Sequence, residues 1–166
     1  MIVFEYKVKG KPDQYKAIDQ AIRTTQFIRN KAIRYWIDAP PEEKVNKFTL
    51  NRYSTILRKE FPFVANLNST AVQSAAERGW SAISRFYDNC KKQISGKKGY
   101  PRFQKDCRSV EYKQSGWKLH PTKRQITFTD KNGAPPTPRA RQGVFIFKNA
   151  IAIFKKNHQI FRSNSL

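Results

Sequence analysis

Residues 91 to 105 carry six cations, Lys91, Lys92, Lys97, Lys98, Arg102 and Lys105, and no acid. Tyr100 and Phe103 lie among them, with Gly96, Gly99 and Pro101. Arg108 and Lys113 follow closely. Cations attract phosphate, aromatic rings offer flat faces to bases or sugars, and Gly and Pro shape a non-helical backbone that can lie close to a polyanion. That chemistry grips nucleic acid, above all single-stranded or irregular RNA. The candidate contacts are therefore Lys91, Lys92, Lys97, Lys98, Tyr100, Arg102, Lys105, Arg108 and Lys113. Of the two aromatics, Phe103 is the one expected in the core.

Reaction chemistry is harder to find. The acids are Glu5, Asp13, Asp19, Asp38, Glu42, Glu43, Glu60, Glu77, Asp88, Asp106, Glu111 and Asp130. A two-metal nuclease needs several carboxylates converging on ions about 4 Å apart. Glu42 and Glu43 are neighbours after two prolines, and Asp106 and Glu111 flank a strand in a basic region, where charge balance explains them. No phosphate-cradling Gly-rich loop, nucleophile elbow or Cys-His constellation is present. Cys90 and Cys107 are 17 positions apart and His120 and His158 are as isolated, which is not the close pairing of a zinc site. Free thiols in a reducing cytosol are the expectation, with no catalytic residue, no metal and no cofactor.

The remaining composition bounds the partner. Thirty-three Lys and Arg against 12 Asp and Glu leave a formal net charge of +21 over 166 residues. Such an excess repels itself unless a polyanion compensates it. Apolar residues make up 39% and aromatics 13%, enough for a core. No run approaches the ~18 apolar residues of a membrane span, and the N-terminus is neither a signal peptide nor a myristoylation site. RNA and DNA are the expected partners, no membrane is, and the expected location is the cytoplasm.

The elements that position the basic stretch follow from periodicity. Ile2, Phe4, Tyr6 and Val8 alternate with Val3, Glu5, Lys7 and Lys9, a half-buried strand ended by Gly10. Pro12 and Asp13 suit the first turn of a helix. Tyr15, Ile18, Ile22, Thr25, Ile28, Ala32 and Trp36 then recur at helical steps until Ala39-Pro40-Pro41. A second helix is predicted over 49 to 60, with Leu50, Tyr53, Ile56 and Leu57 inward, stopped at Phe61-Pro62-Phe63. A third begins near Asn68 or Ser69, both good caps. Its stripe is Val72, Ala75, Ala76, Trp80, Ile83, Phe86, Tyr87, Cys90 and Ile94, and its small residues before Gly79-Trp80 admit a close helix.

After Gly96 the period changes. Residues 100–103, 109–113, 117–119 and 125–129 read as short strands, with Ser115-Gly116 and Lys131-Asn132-Gly133 as turns. A lone N-terminal strand needs partners, and these are expected from about 100 to 130. The predicted fold is thus α+β, a small sheet or β-barrel interrupted by three helices. From Ala134 the texture shifts to a Pro-rich stretch, then to the apolar runs 144–147 and 150–154, with no acid after Asp130. An apolar run of this kind is an aggregation hazard if unpaired, so the tail is expected to pack poorly.

Four stretches resemble a known family. They are Tyr-Lys-Ala-Ile-Asp-Gln-Ala-Ile-Arg-Thr-Thr-Gln-Phe-Ile-Arg-Asn-Lys-Ala from 15 to 32, Phe-Pro-Phe-Val-Ala-Asn-Leu-Asn-Ser from 61 to 69, Ala-Glu-Arg-Gly-Trp-Ser-Ala-Ile-Ser-Arg-Phe-Tyr-Asp-Asn-Cys from 76 to 90, and Gly-Lys-Lys-Gly-Tyr-Pro-Arg-Phe-Gln-Lys from 96 to 105. Together they resemble the N-terminal part of the transposon-encoded TnpB (OrfB) family, RNA-guided nucleases ancestral to the type V CRISPR effectors. Tyr-Pro-Arg-Phe-x-Lys after a helix bearing a Phe-Tyr pair is the most specific element. The resemblance spans about residues 1 to 133.

It implies a wedge-like β-barrel (1–10 and 96–133) interrupted by a helical recognition subdomain (11–95), described in the family as a helix-turn-helix. It further implies contact with guide RNA and target DNA. In the family a RuvC-like nuclease domain follows, with Mg²⁺ at an Asp, Glu, Asp site and a zinc ribbon. Those residues lie beyond this chain, which is less than half the family's usual length. The expected function is therefore a nucleic-acid-binding fragment, or one half of a split nuclease completed by a separately encoded partner, or a product without a role. Residues 134–166 depart from the family's pattern and read as a frameshifted or foreign end.

Overall fold

The structure is a computed structural model, and it describes residues 8–9, 11–113, 115–120, 125–130, 142–147 and 159–162. Helix α1 spans Pro12–Asp38, α2 Lys47–Glu60, α3 Pro62–Asn66 and α4 Ser69–Lys91. The strands are β1 Val8–Lys9, β2 Ser109–Tyr112, β3 Trp117–His120, β4 Gln125–Phe128, β5 Gln142–Phe147 and β6 Gln159–Arg162. The fold is α+β and mostly helical.

Local chemistry sets the helix ends. Pro12 opens α1, and the Lys11 backbone N–H donates to the Gln14 side chain at 2.6 Å. Asn46 caps α2, its Oδ1 accepting from the N–H groups of Phe48 at 2.8 Å and Thr49 at 3.0 Å. Asn68 caps α4 by accepting from Thr70 at 2.9 Å. Pro62 does more than the sequence reading allowed. It ends α2 and, placed at the first helical position, starts the extra short helix α3.

The core lies between α1, α2 and α4. Ile28, Ile33, Leu50, Leu57, Val72, Ala75, Ala76 and Ile83 are fully or almost fully buried there. At Gly79 helix α4 lies close to α1. A Cβ added to it would stand 3.1 Å from Ala32 Cβ and 3.4 Å from the Arg29 carbonyl oxygen. The small residues of α4 therefore admit α1, as their pattern predicted. Some apolar stripes are narrower than expected, because a helix with three neighbours buries only the residues that face one of them. Tyr15, Ile56, Tyr87 and Ile94 are exposed.

The strands form two antiparallel sheets among the described residues, one in the order β1-β5-β4-β3 and one of β2 with β6. No closed barrel is formed by them. In β2 the buried Val110 and Tyr112 alternate with Ser109 and Glu111. The pairing of β1 corrects an expectation. Val8 stands opposite Phe147 and Lys9 opposite Ile146, so β1 joins β5 and not a strand between 100 and 130. Backbone pairing is indifferent to side-chain pattern, and the segments β5 and β6, placed by the sequence in a poorly packed tail, supply partners to β1, β4 and β2. Residues 2–7 of the opening strand, the 131–133 turn, the Pro-rich stretch and the run 150–154 lie outside the described residues. All four helices fall between β1 and β2 in the chain.

A buried polar junction ties the helices to the strands. The Asn68 backbone N–H donates to Asp130 Oδ1 at 2.7 Å, and the Tyr112 hydroxyl donates to Asp130 Oδ2. The Thr70 hydroxyl donates to the Ser115 carbonyl at 3.0 Å, and the Thr129 N–H to the Gly116 carbonyl at 2.8 Å. Burial pushes the Asp130 carboxyl up, although the bonds from Tyr112 and Asn68 pull the other way. Burial also pushes the Tyr112 phenol well above its ordinary value, and the neighbouring carboxylate adds to the effect.

A raised phenol holds its proton in the folded state after the unfolded chain has lost it. Stability from Tyr112 is therefore complete below pH ~10, the ordinary phenol value, and falls as pH rises beyond it. Tyr112→Phe is expected to be less stable at neutral pH, by roughly 1–3 kcal/mol for the buried carboxylate left with one partner fewer. It should also show a shallower alkaline decline. Denaturant midpoints of both proteins from pH 8 to about 11 check this; parallel alkaline limbs would remove Tyr112 as the cause.

Candidate nucleic-acid interface

The basic stretch emerges from the C-terminus of α4. Gln93 (φ 48°), Gly96 (φ 80°) and Gly99 (φ 74°) occupy the left-handed region, so the chain cannot continue as helix and reverses. Residues 100–103 were expected to form a strand. They are irregular instead, and the Arg29 side chain on α1 bonds the Arg102 carbonyl where a neighbouring strand would.

Side chains of α1 and α4 form a row of posts. Asn89 Nδ2 donates to the Lys98 carbonyl at 3.1 Å. Arg29 Nη1 donates to the Arg102 carbonyl at 3.2 Å. Asn30 brackets Gln104, donating to its carbonyl and accepting from its N–H, each at 2.9 Å. Gln26 accepts from the Cys107 N–H at 2.9 Å. Arg78 continues the row into β2, donating to the Ser109 carbonyl at 3.0 Å and lying 3.4 Å from Glu111. Pro101 is buried under the segment. Gln26, Arg29 and Asn30 sit at i, i+3 and i+4 on α1, a half-buried polar stripe beside the apolar one. The sequence reading missed these posts; that spacing was the available signal.

With its backbone held from within, the segment turns its charge outward. Lys91, Lys92, Lys97, Lys98, Arg102 and Lys105 are all exposed, and among the described residues no carboxylate lies within ion-pair distance of them. Arg108 is exposed and 3.1 Å from Asp106, itself exposed. A surface pair of this kind is worth at most ~1 kcal/mol and is readily exchanged for phosphate. Lys113 does not belong to the outward set. Its side chain is only 19% exposed and is paired with Glu77, which also lies 3.4 Å from Lys47. Burial alone would push the Glu77 carboxyl up, but Lys113, Lys47 and Asn51 together hold it below its ordinary value. The reason Lys113 is lost is distance in sequence, since its partner sits on α4.

Neither aromatic lies in the core. Phe103, expected in the core, is 48% exposed. Tyr100 packs against Trp36 and Phe86, with ring centroids 5.4 and 5.3 Å apart, while remaining 54% exposed.

The other sequence candidates stay apart. Glu43 accepts from the Tyr35 hydroxyl at 2.6 Å, and Cys90 and Cys107 are unpaired, half-buried thiols. Among the described residues no three His, Cys, Asp or Glu side chains cluster as metal ligands, and no helix is long and apolar enough to cross a membrane. Compared with known proteins, the chain matches no protein-family model and no curated protein.

Proposed function

We propose that this chain binds nucleic acid through the segment 91–108, and that it does so as the RNA- and DNA-contacting part of a TnpB-type protein. One observation carries the binding. Six exposed cations without carboxylate partners stand on a backbone that α1 and α4 hold in place. A pre-held array pays less ordering entropy on meeting phosphates than a floppy basic loop. The net charge of +21 adds long-range attraction to the same partner.

The family reading rests on the motifs from 15 to 105, supported by the order strand, helices, strands. On that reading the helices are the recognition subdomain and the strands belong to the wedge-like barrel, with residues 134–166 a departure from the family. On this reading the chain binds without cutting, since the carboxylates among the described residues do not cluster as metal ligands.

The test is a titration of the purified chain against a fluorescent single-stranded RNA and a target DNA duplex, with Mg²⁺ present. If about six phosphates are engaged, affinity should fall roughly 10²- to 10³-fold between about 50 and 200 mM salt. Salt-independent binding would overturn the phosphate reading. Cleavage above background in a contaminant-free preparation would overturn binding without catalysis.

A further inference from the structure

Four aromatic rings meet where the ends of α1 and α4 adjoin the basic segment. Trp36 comes from α1, Phe86 and Tyr87 from α4, and Tyr100 from the segment itself. Trp36 lies 5.9 Å from Tyr87 and 6.1 Å from Phe86, both edge-to-face. The indole Nε1–H donates to the Tyr87 hydroxyl at 2.7 Å. That hydroxyl keeps its own proton, which no acceptor takes among the described residues. The rings would serve as an ordinary core patch if they were covered, but Tyr87 is 47% and Tyr100 54% exposed. An aromatic backed by two others and still more than half in water retains a ring face for an outside partner. Lys97, Lys98 and Arg102 lie within three residues of Tyr100, all exposed.

We propose that Tyr100, braced by Trp36 and Phe86, is a stacking station for one unpaired nucleobase, with Tyr87 as a hydrogen-bond donor at its edge. Lys97, Lys98 and Arg102 hold the phosphates on either side. The inference rests on the nucleic-acid reading above and narrows it. A base inside a duplex has both faces covered by its neighbours, so only a single strand or an unpaired loop can use the ring. The partner class is therefore single-stranded nucleic acid. The station reads base planarity, so it does not by itself distinguish RNA from DNA. The bracing is what makes the ring useful, because a tyrosine already fixed by two neighbours loses little freedom when a base settles on it.

The test compares the full chain with Tyr100→Ala, Tyr100→Phe and Tyr87→Phe on three probes: an oligouridylate, an oligothymidylate and a blunt RNA duplex of equal length. Each single strand also carries one 2-aminopurine. Tyr100→Ala should weaken binding of both single strands roughly tenfold, abolish the 2-aminopurine quench, and leave the salt slope and the duplex affinity unchanged. Tyr100→Phe should keep the quench, which separates loss of the ring from loss of the fold. Tyr87→Phe should weaken the single strands a few-fold. Equal losses on duplex and single strands, or no loss with Tyr100→Ala, would overturn the station while leaving phosphate binding intact. A parent chain that binds none of the probes would overturn the nucleic-acid reading and the station together.

Discussion

Replacing Lys97, Lys98, Arg102 and Lys105 together by alanine is expected to weaken binding to single-stranded RNA on the order of 100-fold at low salt, and to lower the salt slope by up to about 3 units. Each exposed cation that meets a phosphate releases roughly 0.7 of a counterion from a single strand, and four such contacts are removed at once. The fold should survive, because the segment is held by its backbone. The carbonyls of Lys98, Arg102 and Gln104 take bonds from Asn89, Arg29 and Asn30 whatever side chain each carries. Thermal unfolding should therefore match the parent protein within a degree or two. Lys113→Ala makes the contrast. It strips the half-buried Glu77 of a partner, so it should cost stability and leave the salt slope alone. Unchanged affinity in the quadruple variant, or a slope that falls as much with Lys113→Ala, would take the interface away from this segment.

Gly116→Ala should be the most damaging of the glycine-to-alanine changes among the described residues, at roughly 2–6 kcal/mol. Two effects add. Gly116 has φ +98°, where a side chain meets its own backbone, a strain of ~1–3 kcal/mol. The added Cβ would also stand 2.7 Å from Asn68 Cγ and 2.8 Å from Tyr112 Cδ1, and overpacking of that kind costs a further ~1–3 kcal/mol. Neither neighbour can retreat cheaply, since Asn68 caps α4 and Tyr112 holds Asp130. Gly96→Ala separates the two effects. Gly96 has φ +80° but nothing within 4 Å of its Cβ position, so it should lose only the backbone share, roughly 1–3 kcal/mol. Urea midpoints of the two variants decide the matter. If Gly116→Ala is no worse than Gly96→Ala, the junction between helices and strands is looser than its contacts imply.

Much of the framework was legible because its causes are local. Pro12, Asn68 and the Ala39-Pro40-Pro41 break marked helix ends that lie where expected. The strands predicted at 109–113, 117–119 and 125–129 are found at 109–112, 117–120 and 125–128. Short-range steric and capping rules decide such features within a few residues. The strand read at 100–103 failed for the opposite reason. Its composition is extended, but its Arg102 carbonyl finds the side chain of Arg29, 73 positions away, in place of a strand. The pairing of β1 with β5 was likewise a choice among several apolar segments, and nothing local ranks them.

The sequence by itself determined the sign and the density of charge near residues 91–105, since ionisation at neutral pH is a property of residue type. It also determined that the helix would not continue past Gly96, because two glycines and a proline within six residues disfavour it. Only the tertiary structure decided which of those charges face water. Lys113 and Lys98 are the same residue, yet α4 sets Glu77 beside the first and offers the second only a hydrogen bond to its backbone carbonyl. It likewise decided that both Tyr100 and Phe103 stand exposed, and that Tyr100 is braced by Trp36 and Phe86. Charge is written one residue at a time, but its availability depends on what the fold places within a few ångströms, and those neighbours come from distant parts of the chain.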